Sequence, residues 1–310
     1  MQRLHTACLG ELAPTVKTPC YRREALRPGI LHFGLGAFHR AHQALYTDDA
    51  IVAGGGDWGI IGVSLRSPAV ARQLMPQDCL YSVLGEDGNR CELRVVGSVL
   101  RVLVAPEDPA AVVGAIADPA IRVLTLTITE KGYALAADGR SLDRDDPAIR
   151  RDLSDPENPS SAIGLLALGL RHRVATGGAP LTLLSCDNLT GNSGLLRGVL
   201  TDYLDSSFPD VLHWLESAAA FPCSMVDRIV PAMTAEQKQR QSVLLGALDE
   251  AAVRTEPFSQ WIIEDEFAAG RPDWEAAGVH LVGDIRPYED IKLRLLNASH
   301  SAIAYCGLLA

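Results

Sequence analysis

The stretch from Gly29 to Leu65 constrains the fold of this chain more than any other. Gly29-Ile-Leu-His-Phe33 is a short apolar run of the kind buried in a parallel sheet, and it stops at Gly34-Leu-Gly36. A helical pattern follows from about Phe38 to Val52, and then a second buried run, Trp58-Gly-Ile-Ile-Gly-Val-Ser-Leu65. Strand, glycine turn, helix, strand is a βαβ opening. Ser67 as cap and Pro68 at the first helical position predict a further helix through Leu74.

The rest of the chain keeps the rhythm. Tyr81-Ser-Val-Leu84 and Glu92-Leu-Arg-Val-Val96 flank the turn-rich Gly85-Glu-Asp-Gly-Asn89 and read as a hairpin inserted before a helix at Pro109 to Ile116. A strand at Arg122 to Ile128, a helix at Ser161 to Val174, a strand at Leu181 to Ser185 and helices at about Ser193 to Leu204 and Ala235 to Ala252 extend the alternation. The pattern predicts an α/β fold with a Rossmann-like, doubly wound, mostly parallel sheet. No repeat of 20 to 50 residues interrupts it. Pro287 to Tyr305 has helical period, with Pro at its head and acids in its first turn. Ending on that apolar helix without a stop signal, the chain reads as carrying only the start of a helical C-terminal domain, truncated. The expected division is a lead-in at 1–27, the Rossmann-like domain at 28–285 and the truncated helical piece at 286–310.

Composition narrows the function classes. The 310 residues are 47% hydrophobic and 21% charged, enough for a sizeable core. With 28 Lys+Arg against 38 Asp+Glu the net charge is −10, which offers no footprint for nucleic acid or an anionic membrane surface. Seven cysteines (Cys8, Cys20, Cys79, Cys91, Cys186, Cys223, Cys306) are odd in number and form no C-x-x-C, so neither a disulfide framework nor a thiolate zinc site is expected. A cytoplasmic location is the matching expectation, since the N-terminus lacks the apolar run of a secretory signal and no stretch approaches a membrane span of about 18 apolar residues.

Gly34-x-Gly36 stands where a dinucleotide site needs it, one glycine for the tight turn and one to let a pyrophosphate approach the backbone. His39 occupies the place of the third glycine, and a plain strand-to-helix turn fits the motif alone about as well. After the second strand, Ser64-Leu-Arg66 provides no carboxylate for a ribose 2′-hydroxyl, and Asp57 lies at the wrong end of that strand; Arg66 suits a 2′-phosphate. His39 and His42 lack a third ligand at metal-binding spacing, so no metal is expected there. At about 100° per residue, Glu289, Lys292, Asn297 and His300 share roughly 140° of one helix face, where a desolvated lysine would serve as general base beside an amide donor and a hydroxyl partner. A solvated face is the competing explanation, but Ala298, Ala302 and Ile303 suit one poorly. Tyr288-x3-Lys292 matches the Y-x-x-x-K of short-chain dehydrogenases without that family's glycine pattern or its upstream serine, and is read as coincidence.

Taken together, Gly34-Leu-Gly-Ala-Phe-His-Arg-Ala-His42, Thr129-Glu-Lys-Gly-Tyr133, Ser185-Cys-Asp-Asn188, Phe221 to Pro231, Glu256-Pro-Phe, Gln260-Trp-Ile-Ile-Glu264 and Lys292 to His300 resemble the mannitol dehydrogenase family of polyol-specific long-chain dehydrogenases. The resemblance runs from about Pro28 to Tyr305. It implies a zinc-independent oxidoreductase that moves a hydride between a nicotinamide and a secondary alcohol of a polyol of the mannitol/fructose type. Lys292 would be the acid/base, Asn188 and Asn297 an oxyanion hole, and His300 a holder of substrate hydroxyls. Asp227 would line the site, and Glu289 would lie on the proton route to solvent. Coenzyme contacts would come from Gly34, Gly36, Phe38, His39, Arg40, Ser64, Arg66 and Glu130. NAD is the expected cofactor, with NADP left open by Arg66, and the substrate would be a polyol, ketose or uronate. Fructuronate reductase is the alternative within the family, and a non-catalytic dinucleotide-binding remnant the alternative outside it. No oligomeric state follows from these residues.

Overall fold

The computed structural model describes residues 1–88, 91–292 and 294. Its strands in chain order are β1 (Pro28–Phe33), β2 (Gly59–Ser64), β3 (Tyr81–Glu86), β4 (Cys91–Val96), β5 (Val99–Val104), β6 (Val123–Leu126), β7 (Leu181–Ser185), β8 (Ala219–Ala220), β9 (Ser224–Asp227), β10 (Val253–Thr255), β11 (Gln260–Glu264) and β12 (His280–Val282). The helices are α1 (Ala37–Ala41), α2 (Gln43–Gly54), α3 (Ala69–Leu74), α4 (Pro109–Ala117), α5 (Pro147–Ser154), α6 (Ala162–Ala175), α7 (Asn192–Ser207), α8 (Leu212–Ala218), α9 (Ala235–Leu245) and α10 (Arg286–Ile291).

Six strands form the main sheet in the order β5-β2-β1-β6-β7-β8, every neighbouring pair parallel. The chain runs outward from β1 to β2 and β5, then returns to the other side of β1 as β6. That reversal opens a crevice at the carboxyl ends of β1 and β6, the place where open α/β sheets bind ligands. Both faces of the sheet are covered, which is why its strands read as continuous apolar runs. Leu31, Phe33, Ile61 and Leu124 pack toward α4, α6 and α7, whereas Ile30, Ile60, Val102 and Val123 pack on the α2 side.

Two three-stranded sheets flank this body, β10-β3-β4 and β12-β11-β9. The expected hairpin is β3–β4, but it joins β10 rather than the main sheet, and β5 enters the main sheet after it. The lead-in is tied down: Leu4 and Cys8 are buried with Leu80, Leu84, Leu93 and Leu245. Three helix boundaries differ from expectation. The single helix after β1 is broken at His42, whose backbone sits at φ −128°, ψ −91°. Pro68 takes the cap position of α3, with the Ser67 hydroxyl a distant 3.5 Å from the Ala69 amide. The helix from Ala235 stops at Leu245 because Gly246 turns left-handed at φ +85°. The expected helix beyond α10 lies outside the described residues.

Candidate active site

The turn that leaves β1 is built on Gly34. Its φ of +95° is open to glycine, and a Cβ there would stand 2.0 Å from the Thr127 carbonyl oxygen. The Gly34 amide donates to Val63 O at 3.0 Å, and the Thr127 hydroxyl donates to Gly34 O at 2.9 Å, so the turn is fastened to β2 and to the end of β6. Gly36 is different. Its φ of −88° and ψ of −175° suit any residue, and a Cβ there would meet only Gly34 O, at 3.7 Å. Nothing in the protein itself demands glycine at 36.

The loop after β6 is held by Asp187, at the end of β7. Its carboxylate accepts from Ile128 N (3.0 Å), Thr129 N (2.9 Å) and the Tyr133 hydroxyl (2.7 Å). These bonds keep Thr129 at φ +63°, a costly setting for a β-branched residue. Burial raises the Asp187 carboxyl despite the three donors, and raises the Tyr133 hydroxyl as well. Asn192, at the start of α7, closes the other side. Its amide donates to Asp187 O and Ser224 O at 3.0 and 2.8 Å, and its oxygen accepts from Ser224 N at 3.1 Å, so β9 is clasped to the loop after β7.

Between these loops lies a cavity of about 450 Å³ lined by Gly34, Gly36, Phe38, Asn188, Asp227 and Lys292, among others. The half-buried Lys292 follows α10, and its Nζ donates to Asn188 Oδ1 at 2.8 Å and to Val226 O at 2.5 Å. An ammonium can only donate, so the Asn188 oxygen must face it, which leaves the amide N–H₂ of Asn188 for other acceptors. Desolvation lowers the pKa of Lys292, and the nearby Asp227 carboxylate opposes that shift. Glu289, one turn earlier, accepts from Gly191 N at 2.9 Å and shares a second small cavity of about 60 Å³ with Lys292. Burial raises its carboxyl.

Six of the expected site residues thus line one cavity although they span 258 positions of sequence, from Gly34 to Lys292. Others lie elsewhere. His39 is fully buried, stacked on His32 at 3.4 Å between ring centroids, with neither ring nitrogen partnered. The Arg40 guanidinium bonds Gly36 O and Ala251 O and lies 5.5 Å from the Tyr81 ring. Both side chains are buried in the interior and neither lines this cavity. Ser64 donates to Ser67 O at 2.6 Å, and Arg66 is exposed at the carboxyl end of β2, on the same edge of the sheet as the cavity. Glu130 is exposed next to Thr129. Asn297 and His300 lie outside the described residues. Tyr288 packs on Met225, Ile262 and Ile285. Among the described residues no group of three His, Cys, Asp or Glu is placed to hold a metal ion, and no helix is long and apolar enough to cross a membrane.

Sequence reasoning assigned no role to Asp187, Asn192 or Arg228. The first and last stand inside quoted motifs, Ser185-Cys-Asp-Asn188 and Phe221 to Pro231, which was signal enough to look there.

Residues 28–276 match the family model described as the mannitol dehydrogenase Rossmann domain. An uncharacterized oxidoreductase, YeiQ, of Escherichia coli (strain K12) is 45% identical over 95% of this chain and 61% of its own length. A polyol:NADP oxidoreductase of Gluconobacter oxydans (strain 621H) is 40% identical over 97% and 63%. Among solved structures, the Pseudomonas fluorescens mannitol 2-dehydrogenase ternary complex with NAD and D-mannitol superposes with a TM-score of 0.92 at 39% identity, covering 99% of this chain and 63% of that one. The chain spans about three fifths of the length of the relatives it matches. With the parallel sheet, the β1 glycine turn and the family match over most of its length, this chain belongs to the mannitol dehydrogenase family.

Proposed function

We propose that this chain carries the coenzyme half and the proton-transfer lysine of an NAD(P)-dependent oxidoreductase that acts on a secondary alcohol of a mannitol-type polyol, or on the matching ketose in reverse. The observation that carries the reading is Lys292, its amine half-buried, bonded to Asn188 and Val226 O, and facing the crevice at the β1/β6 reversal. A dinucleotide fits the same crevice, because the glycine the fold does not need, Gly36, borders open cavity where a side chain would block close approach to the backbone. When bound, the nicotinamide supplies the hydride acceptor or donor.

The protein's share is proton handling and charge stabilisation. In alcohol oxidation the neutral Lys292 amine takes the hydroxyl proton, and in ketone reduction the ammonium returns it. Desolvation favours the neutral amine and brings the group closer to working pH. The free Asn188 N–H₂ would donate to the oxygen on which charge develops. Glu289, hydrogen-bonded at Gly191 and sharing a cavity with Lys292, is suited to pass the proton outward. Asn297 and His300 would complete the set. NAD is the coenzyme of this reading, and the exposed Arg66 favours accepting NADP as well.

The test is Lys292→Ala. It should lower kcat by about 100-fold or more while sparing dinucleotide affinity. Oxidation by the native protein should rise with pH through a midpoint below 10.5, the ordinary value for lysine, and reduction should fall through it. A variant that loses dinucleotide binding as fully as activity would make the lysine structural.

A further inference from the structure

Arg228 is the one residue of the Val226-Asp227-Arg228 tripeptide for which the mechanism has no use, and its surroundings are unusual for a charged side chain. It lines the candidate active-site cavity and, on its other side, a separate cavity of about 370 Å³ bordered by Tyr46, Asp49 and Ser259. No carboxylate pairs with it among the described residues. Its donors go instead to main-chain oxygens: Nη1 to Ala41 O at 2.5 Å, and Nε and Nη2 to Glu256 O at 3.3 and 3.0 Å.

The acceptor at Ala41 exists because the helix after β1 breaks. With α1 ending at Ala41 and His42 out of helical geometry, the Arg40 and Ala41 carbonyls lose helical partners. The Tyr81 hydroxyl takes the first at 2.8 Å, and Arg228 takes the second. A cation at the carboxyl end of α1 also matches the sign of the helix dipole there. The short α1 begins at the Gly34–Gly36 turn and carries Phe38, whose ring faces the cavity and stacks on His42 at 5.0 Å. At the other end of the tripeptide, Val226 O receives the Lys292 amine. One short piece of backbone therefore holds the lysine with its first residue and the glycine-turn helix with its third.

We infer that Arg228 is a positioning residue that fixes the coenzyme turn and α1 against the strand that seats Lys292, so that losing it loosens both sites together. The inference rests on the proposed function for its meaning, because it needs a dinucleotide on the Gly34–Gly36 side. Arg228→Lys keeps the charge but can reach one acceptor geometry rather than a fork of two, and Arg228→Met keeps the length of the stem and removes every donor.

The experiment reads both ends separately. The chain has four lysines, Lys17, Lys131, Lys238 and Lys292, so lysine-selective ¹³C,¹⁵N labelling yields four side-chain Nζ signals, with that of Lys292 identified by its loss in Lys292→Ala. NADH and NADPH affinities are measured by fluorescence titration on the same samples. Arg228→Met should weaken coenzyme binding at least tenfold and move the Lys292 signal toward that of the exposed Lys17, leaving Lys131 and Lys238 in place. Arg228→Lys, whose new lysine adds a fifth Nζ signal recognised by its absence from the parent, should recover part of both effects. A variant that merely lowers the melting temperature, with affinity and the Lys292 signal unchanged in the folded protein, overturns the inference. If the native chain binds neither coenzyme, the proposed function fails, and an unmoved Lys292 signal in Arg228→Met sinks the positioning role independently.

Discussion

The two glycines of the β1 turn differ in what they need, and exchanging each for alanine separates fold from function. At Gly34, alanine must accept φ +95° and a methyl carbon 2.0 Å from Thr127 O. Relief requires the backbone to move by about 1 Å, which strains the Gly34 N–Val63 O and Thr127 N–Phe33 O bonds, 3.0 and 2.8 Å long. Left-handed strain of about 1–2 kcal/mol and two weakened hydrogen bonds at about 1 kcal/mol each put the loss at roughly 3–4 kcal/mol. That is a large part of the roughly 5–15 kcal/mol that stabilises a domain. At Gly36, alanine fits the existing φ and ψ with nothing nearer than 3.7 Å. Lower unfolded-state entropy should then stabilise the protein by about 0.4–1 kcal/mol, a rise in Tm of about 1–3 °C. The same methyl group would stand in the cavity where the proposed dinucleotide brings its pyrophosphate, so on that proposal NADH affinity should fall tenfold or more, about 1.4 kcal/mol at least. Thermal melts and NADH fluorescence titrations of the three proteins suffice. A Gly36→Ala variant that binds NADH as well as the parent would refute the placement of the dinucleotide, and a Gly34→Ala variant with unchanged Tm would refute the steric argument.

Other expectations are as direct. Asn188→Ala should cost roughly 2–4 kcal/mol of transition-state stabilisation, seen as a drop in kcat with the fold intact by circular dichroism, and wild-type kcat would end its role as a donor. Arg66→Ala should weaken NADPH by about 1–3 kcal/mol and spare NADH, whereas equal losses for both would remove Arg66 from coenzyme choice. His39 is buried neutral with its pKa pushed well below 6.5 by desolvation, so its contribution is complete above pH 6.5 and is lost as the pH falls below that value. His39→Leu should therefore add about 1–3 kcal/mol at pH 7 by removing two unpartnered buried nitrogens, and should lose less stability than the parent between pH 7 and pH 5 in urea titrations; equal losses would contradict it.

The parallel sheet was legible because burial on both faces leaves an unambiguous mark: β1, β2, β6 and β7 are apolar runs bounded by turns. What escaped was set by contacts distant in sequence. β9, β11 and β12 are three to five residues long, too short to declare a period, and they exist because Gln260 to Ile263 find Ser224 to Asp227 across about 35 residues of chain. The break at His42 was invisible for the same reason. Helix propensity favours continuing through it, and the Gln260 carbonyl at 2.9 Å from the His42 ring, the Arg228 donor on Ala41 O and the Tyr81 hydroxyl on Arg40 O stabilise the alternative.

The same reasoning explains which site residues a motif can reveal. Gly34, Asn188, Asp227 and Lys292 border the cavity directly, so a pattern of residue types suffices to nominate them. His39 and Arg40 share the glycine motif but serve the interior: His39 fills the space against His32, and Arg40 ties Gly36 O to Ala251 O. Their presence in the motif follows from the geometry of the turn, since a helix of five residues pressed between β1 and the β10-β3-β4 sheet must bury its third and fourth side chains. Adjacency in sequence to a cavity-lining residue is thus poor evidence that a side chain lines the cavity as well. Adjacency to the backbone that aims such a residue, as at Asp187, Asn192 and Arg228, is where the remaining polar side chains of this site act.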